Sequence, residues 1–111
     1  MEISYANSKI QKICTNARIA QKVLGKKVAQ VLRDRLDQMQ DANDLAELRY
    51  AAGDWHELVG DRKGEIACSL SGRIRLIFVP ANALRPIKPD GGLDWTQVTA
   101  VMNLEITDYH K

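Results

Sequence analysis

Apolar residues recur at helical spacing along the first third of the chain and at alternate positions along much of the rest. Ile10, Ile13, Cys14, Ala17, Ala20 and Leu24 lie three or four apart, the repeat of a single helix face. Asn7 or Ser8 offers a side-chain oxygen to the first unpaired backbone N–H groups, and Gly25 supplies a stop. Beyond that glycine, Val28, Val31, Leu32, Leu36 and Met39 form a second stripe, with Lys26, Lys27, Gln30, Arg33 and Asp37 on the outer face. Two helices joined at a glycine predict an αα-hairpin, preceded by a short strand over Glu2–Tyr5. Asp44-Leu-Ala-Glu47 has the form of a capping box and predicts a helical turn ending near Tyr50.

The period then falls to two. Ile66, Cys68 and Leu70 alternate with Ala67 and Ser69, and Ser71-Gly72 signals a two-residue turn. In the strand that follows, Ile74, Leu76 and Phe78 take one face, and Arg73, Arg75, Ile77 and Val79 take the other. A last strand sets Val98, Ala100, Met102, Leu104 and Ile106 against Thr99, Val101, Asn103 and Glu105. Between these two strands, residues 80–94 carry all three prolines and Gly91-Gly92, which predicts a long exposed loop. The order β-α-α-β-β-β predicts one α+β domain over residues 1–111, an antiparallel sheet with a helical hairpin on one face. Its other face is left for a ligand, with Arg73 and Arg75 directed toward it.

Composition narrows the class. An apolar fraction of 45% and a charged fraction of 27% fit a globular domain, and no apolar run is long enough for a membrane span. The first residues lack the apolar stretch of a secretion signal, so a cytoplasmic protein is expected, with Cys14 and Cys68 as free thiols. Net charge is +2, but residues 1–40 hold eight Lys or Arg against three acids. Such a basic half can attract a polyanion or an acidic partner, or simply keep amphipathic helices solvated.

The two histidines each follow a large aromatic residue, in Trp55-His56 and Tyr109-His110. Imidazole takes and gives protons near neutrality, and a guanidinium holds a phosphate through paired hydrogen bonds. His56, His110, Tyr109, Asp108 and the strand arginines Arg73 and Arg75 together suit proton transfer beside a phosphate. The arginines are equally able to pair across strands with Glu65 or Glu105. Phosphate-loop, dinucleotide-binding, zinc-protease and nucleophile-elbow motifs are missing, and two histidines with two separated cysteines do not make a structural metal site.

Three segments together, Trp55-His-Glu-Leu-Val-Gly-Asp-Arg-Lys-Gly64, Ser71-Gly-Arg-Ile-Arg-Leu-Ile-Phe78 and Glu105-Ile-Thr-Asp-Tyr-His110, resemble the RelE/ParE toxin superfamily, most of all its HigB-like branch of plasmid-maintenance killer proteins. The resemblance implies a microbial-ribonuclease-like fold and a type II toxin that cleaves messenger RNA on translating ribosomes, with no metal or cofactor. It implies a cognate antitoxin partner, commonly a helix-turn-helix protein, and no membrane partner. His56, Arg75, Asp108, Tyr109 and His110 match the family's catalytic places, with Arg73, Arg62 and Lys63 as RNA-binding neighbours. Val59 stands where the branch often has a lysine, and the 80–94 loop is longer than usual. Two other functions remain open: a non-cleaving toxin that binds a protein such as DNA gyrase, and a degenerate antitoxin-binding module.

Overall fold

In the computed structural model, which describes residues 1–108, five strands form one sheet beneath three helices. The strands are β1 (Glu2–Tyr5), β2 (His56–Glu57), β3 (Ile66–Ser71), β4 (Ile74–Pro80) and β5 (Ala100–Asp108), in the spatial order β1-β5-β4-β3-β2. The helices are α1 (Ser8–Thr15), α2 (Ala17–Leu24) and α3 (Lys26–Asp41).

The helical hairpin forms as expected, but its first arm is broken at Asn16. That residue takes extended backbone angles, and its side-chain oxygen accepts from the N–H of Ile19 at 3.1 Å, starting a second helix. Asparagine competes with helix propagation in this way because its amide mimics a backbone acceptor. Asn7 caps α1 likewise, accepting from the Ile10 N–H at 3.0 Å. Gly25, at φ 86°, ends α2 and begins α3 in one residue, a conformation that favours glycine. The capping segment after α3 folds as a 3₁₀ turn over Leu45–Leu48, with Asp44 accepting from the Glu47 N–H at 3.2 Å.

The sheet departs from the expected pattern in four places. It has a fifth strand, β2, where none was expected. β1 pairs with β5 in parallel, Glu2 opposite Ala100, so the sheet is mixed at that edge. The turn between β3 and β4 is Gly72-Arg73 rather than Ser71-Gly72, because Ser71 pairs with Ile74. A bulge interrupts β5: Ile77 faces Glu105 while Phe78 faces Asn103, so Leu104 is an inserted residue. An inserted residue reverses the alternation beyond it. Val101 and Asn103 therefore lie under the helices with Ile106, while Leu104 packs on the opposite face with Leu58, Ala67 and Ile77.

The main core fills the space between helices and sheet. Ile10, Ile13 and Cys14 of α1 and Leu32, Leu36 and Met39 of α3 meet Ile66, Cys68, Leu76 and Phe78 of the sheet. Trp55 meets Phe78 edge to face, with ring centroids 5.9 Å apart. Residues 81–94 are exposed but not formless. Ile87 and Leu93 bridge as a miniature hairpin, and Leu93 and Trp95 return to the core. No helix among the described residues is long and apolar enough to cross a membrane.

Candidate functional site

The sheet face away from the helices carries the candidate chemistry, and the strand register sets its layout. In antiparallel pairs, directly opposed residues point to the same side. One row across this face is His56, Ala67, Ile77 and Glu105, and the next is Ser69, Arg75 and Thr107. On the other side of the His56 row lie Leu58, Glu65 and Val79; the Leu58 N–H donates to the Glu65 carbonyl at 2.9 Å.

His56 is placed by the two residues before its tryptophan. Gly53 has φ 128°, and Asp54, at φ 51°, is the only non-glycine with positive φ among the described residues. A Cβ at position 53 would lie 2.7 Å from Trp55 Nε1 and 2.8 Å from Arg35 Nε, so only glycine fits the kink. The kink aims the Asp54 carbonyl at His56 Nδ1, 2.7 Å away. A carbonyl only accepts, so this bond puts the proton of a neutral ring on Nδ1 and leaves Nε2 with its lone pair. The His56 side chain is 41% exposed, and the Asp54 carboxylate lies 3.8 Å from Nδ1. Trp55 is buried on the opposite side, with Nε1 donating to the Ala52 carbonyl at 2.9 Å. The alternation of a strand thus anchors one ring in the core and presents the next on the outer face.

Arg75 shares the face of His56, one row and two strands away, roughly 12 Å between Cα atoms by sheet geometry. Its Nη1 donates to the carbonyls of Gly72 and Ile74, while Nε and Nη2 have no protein partner among the described residues. Arg73 occupies the turn instead of the strand, and its Nε lies 3.5 Å from the Asp108 carboxylate. The expectation that Arg73 and Arg75 project side by side from one strand is corrected accordingly. Asp108 pairs with Ile74, on the parity of the helix-covered side, roughly 17 Å from His56 by the same geometry. Tyr109 and His110, the remaining catalytic candidates, lie outside the described residues.

The face is less open than the element order implies. Leu58 folds over Ala67 and Ile77, and Arg62 reaches across the strands, with Nε 2.7 Å from Glu65 and Nη2 2.7 Å from Glu105. Arg62 is thereby engaged as a clamp, and its guanidinium is held further above its ordinary range by the hydrogen bond it donates to Glu105. The acids considered as partners for Arg73 and Arg75 are the partners of Arg62. Lys63 is exposed beside it, and Val59 is 65% exposed at the start of the turn.

Next to this turn a cleft of about 560 Å³ opens between residues 57–65 and the 81–94 loop. Val79, Ile87 and Leu93 contribute apolar surface, with Lys63, Arg85, Glu57 and Glu65 around it. Arg85 Nη2 donates to the Gly64 carbonyl at 3.1 Å, and Glu57 accepts from Trp95 Nε1 at 2.9 Å. Trp95 in turn lies under the Arg49 guanidinium, 4.0 Å from the ring centroid. Sequence reasoning missed Asp54, Glu57 and Arg85. The Gly53-Asp54 turn signal could have indicated the first. Nothing local marks Glu57 or Arg85, because their place in the cleft depends on contacts distant in sequence.

The sequence matches no family model, and it matches no curated protein. The fold, by contrast, corresponds end to end with a solved structure, the YoeB/ParE toxin from Agrobacterium tumefaciens, with a TM-score of 0.62 over 99% of this chain and 100% of that one. At 8% identity the likeness is one of architecture, and the RelE-like α+β fold expected from the sequence is the one observed.

Proposed function

We propose that this chain is the toxin of a toxin–antitoxin pair and that it cleaves RNA without a metal, using the ribose 2′-OH as nucleophile. The reading rests on the toxin fold together with one local observation: His56, half exposed on the helix-free face, is fixed through Nδ1 to the Asp54 carbonyl, which leaves the Nε2 lone pair free when the ring is neutral. A nitrogen so placed suits a general base that takes the 2′ proton, with the bond from oxygen to phosphorus forming as that from phosphorus to the 5′-oxygen breaks. The leaving 5′-oxygen must then receive a proton, and the tail residues His110 and Tyr109 are the groups proposed for it. Arg75, with Nε and Nη2 uncommitted among the described residues, is proposed to hold the phosphate as its charge builds. Asp108 is proposed to act on the tail or on Arg73 rather than on His56 directly.

The substrate proposed is messenger RNA on the ribosome, in the cytoplasm, and the partner is a cognate antitoxin, in the HigB-like reading a small helix-turn-helix protein. Expression of the chain with and without a neighbouring antitoxin frame, followed by mapping of RNA 5′ ends, tests this. Growth arrest with new 5′ ends, both abolished by His56→Ala, is the expected result. Arrest without cleavage points to a non-cleaving toxin that binds a protein target such as DNA gyrase. No arrest at all leaves only the antitoxin-binding module.

A further inference from the structure

Next to the His56 row, the cleft between residues 57–65 and the 81–94 loop combines features that a solvated surface groove does not require. Its four charged side chains are not equally available. Glu65 is tied to Arg62 at 2.7 Å and Glu57 accepts from Trp95 Nε1 at 2.9 Å. Lys63 and Arg85, by contrast, have no carboxylate partner among the described residues; Arg85 contacts a neutral carbonyl, that of Gly64. By the same measure the Glu57 carboxylate, held by a neutral indole N–H, has no cation partner among the described residues, so the cleft offers two cations, Lys63 and Arg85, against that one acid. Val79, Ile87 and Leu93 form an apolar floor beside these charges, and Ile87 is 51% exposed, although its bridge to Leu93 holds it in place. Gly64, Gly91 and Gly92 line the walls without side chains. At Gly91, φ is 93° and a Cβ would meet nothing, so the wall there is open to a ligand.

We propose that this cleft seats a nucleotide of single-stranded RNA adjacent to the one being cleaved, with Lys63 and Arg85 on its phosphate and Val79, Ile87 and Leu93 against its base. Single-strand binding combines cations on the backbone with a nonpolar surface under the base, commonly aromatic and in this cleft aliphatic. The strand register supports the position: Val79 lies two residues along β4 from Ile77, which shares the His56 row, a step of about 7 Å. Arg75 lies on the other side of the same row. A strand whose reactive phosphate sits at His56 would pass from Arg75 into the cleft. The 81–94 loop then has a function, as one wall of a subsite that extends the contact with RNA. This inference rests on the nuclease reading and adds the place where the neighbouring nucleotide binds.

The test is fluorescence anisotropy with a short single-stranded oligoribonucleotide carrying 2′-O-methyl groups, which block cleavage but not binding. Lys63→Ala with Arg85→Ala should weaken binding roughly tenfold and lower the salt slope by about 1 for each cation removed. Lys63→Ala alone, at an exposed position whose side chain has no hydrogen bond among the described residues, should show its share without disturbing the loop. Lys12→Ala with Lys22→Ala, on the helices, should bind like the unaltered protein. If the unaltered protein binds and the cleft variants bind equally well, the cleft is not the subsite and the nuclease reading stands. If the unaltered protein neither binds the oligoribonucleotide nor produces new 5′ ends in ribosome-bound message, the nuclease reading fails and the subsite falls with it.

Discussion

Arg62 and Glu105 are 43 positions apart in sequence and 2.7 Å apart in space, joined over the face of the sheet that the helices do not cover. With Glu65 on its other side, Arg62 ties the turn after Leu58 to β3 and β5. The clamp holds the segment between His56 and the cleft. Removing the guanidinium leaves two carboxylates facing each other above Ala67 and Ile77. These side chains are partly solvated, so Arg62→Ala should cost about 1–2 kcal/mol, more at low salt than at high salt. Urea denaturation at two ionic strengths checks this; an unchanged midpoint at low salt would show that the clamp contributes nothing.

Burial sets the response to alkaline pH. Removal from water pushes the Cys14 thiol from its ordinary 9.0 up to about 12, and burial raises Cys68 as well. Between those values the unfolded chain releases thiol protons that the folded chain keeps, so the folded state binds more protons. Stability is then fully present below pH 9 and falls as pH rises toward 12, by about 1.4 kcal/mol per pH unit for each thiol. Cys14→Ala should flatten this slope between pH 9 and 11, whatever it costs at neutral pH. Denaturation midpoints across that range are the measurement, and a variant slope as steep as the original would contradict the assignment.

Asn16 divides the first helical arm. Replacing it with alanine removes the acceptor for the Ile19 N–H and should cost about 1 kcal/mol by thermal or urea unfolding. A gain in stability would mean that α1 and α2 had fused into one straight helix, which circular dichroism would show as added helicity.

The kink before His56 separates backbone from side-chain roles. Because the carbonyl of Asp54 fixes Nδ1, Asp54→Gly should keep the ring in place and relieve the positive φ, with stability unchanged or slightly raised. His56→Ala should lower RNA cleavage by about 10²–10⁴-fold without unfolding the protein. Cleavage assays on both variants separate the roles: loss in Asp54→Gly comparable to that in His56→Ala would assign the carboxylate, not the carbonyl, the leading part.

Local pattern made much of the architecture legible. The caps at Asn7 and Asp44, the stop at Gly25 and the alternation in β3 and β4 are consequences of neighbouring residues, so they could be read in order. The same is true of the α+β class, since a helical hairpin followed by alternating strands buries its apolar faces in few ways. Arg75 fell on the helix-free face because parity along a strand is itself local. His56 shares that face only through the pairing of β2, which the pattern did not predict, with β3.

Tertiary structure decided the rest. The bulge at Leu104 and the Gly72-Arg73 turn arise from how strands meet, and each reverses a side chain's direction without altering composition. Which acid Arg62 would take, and that Arg85 would face Lys63 across a cleft, depended on contacts between segments far apart in the chain. Sequence specifies which faces must be buried, because that follows from the apolar repeat; the pairing of exposed charges is chosen only when folding sets the distances between them.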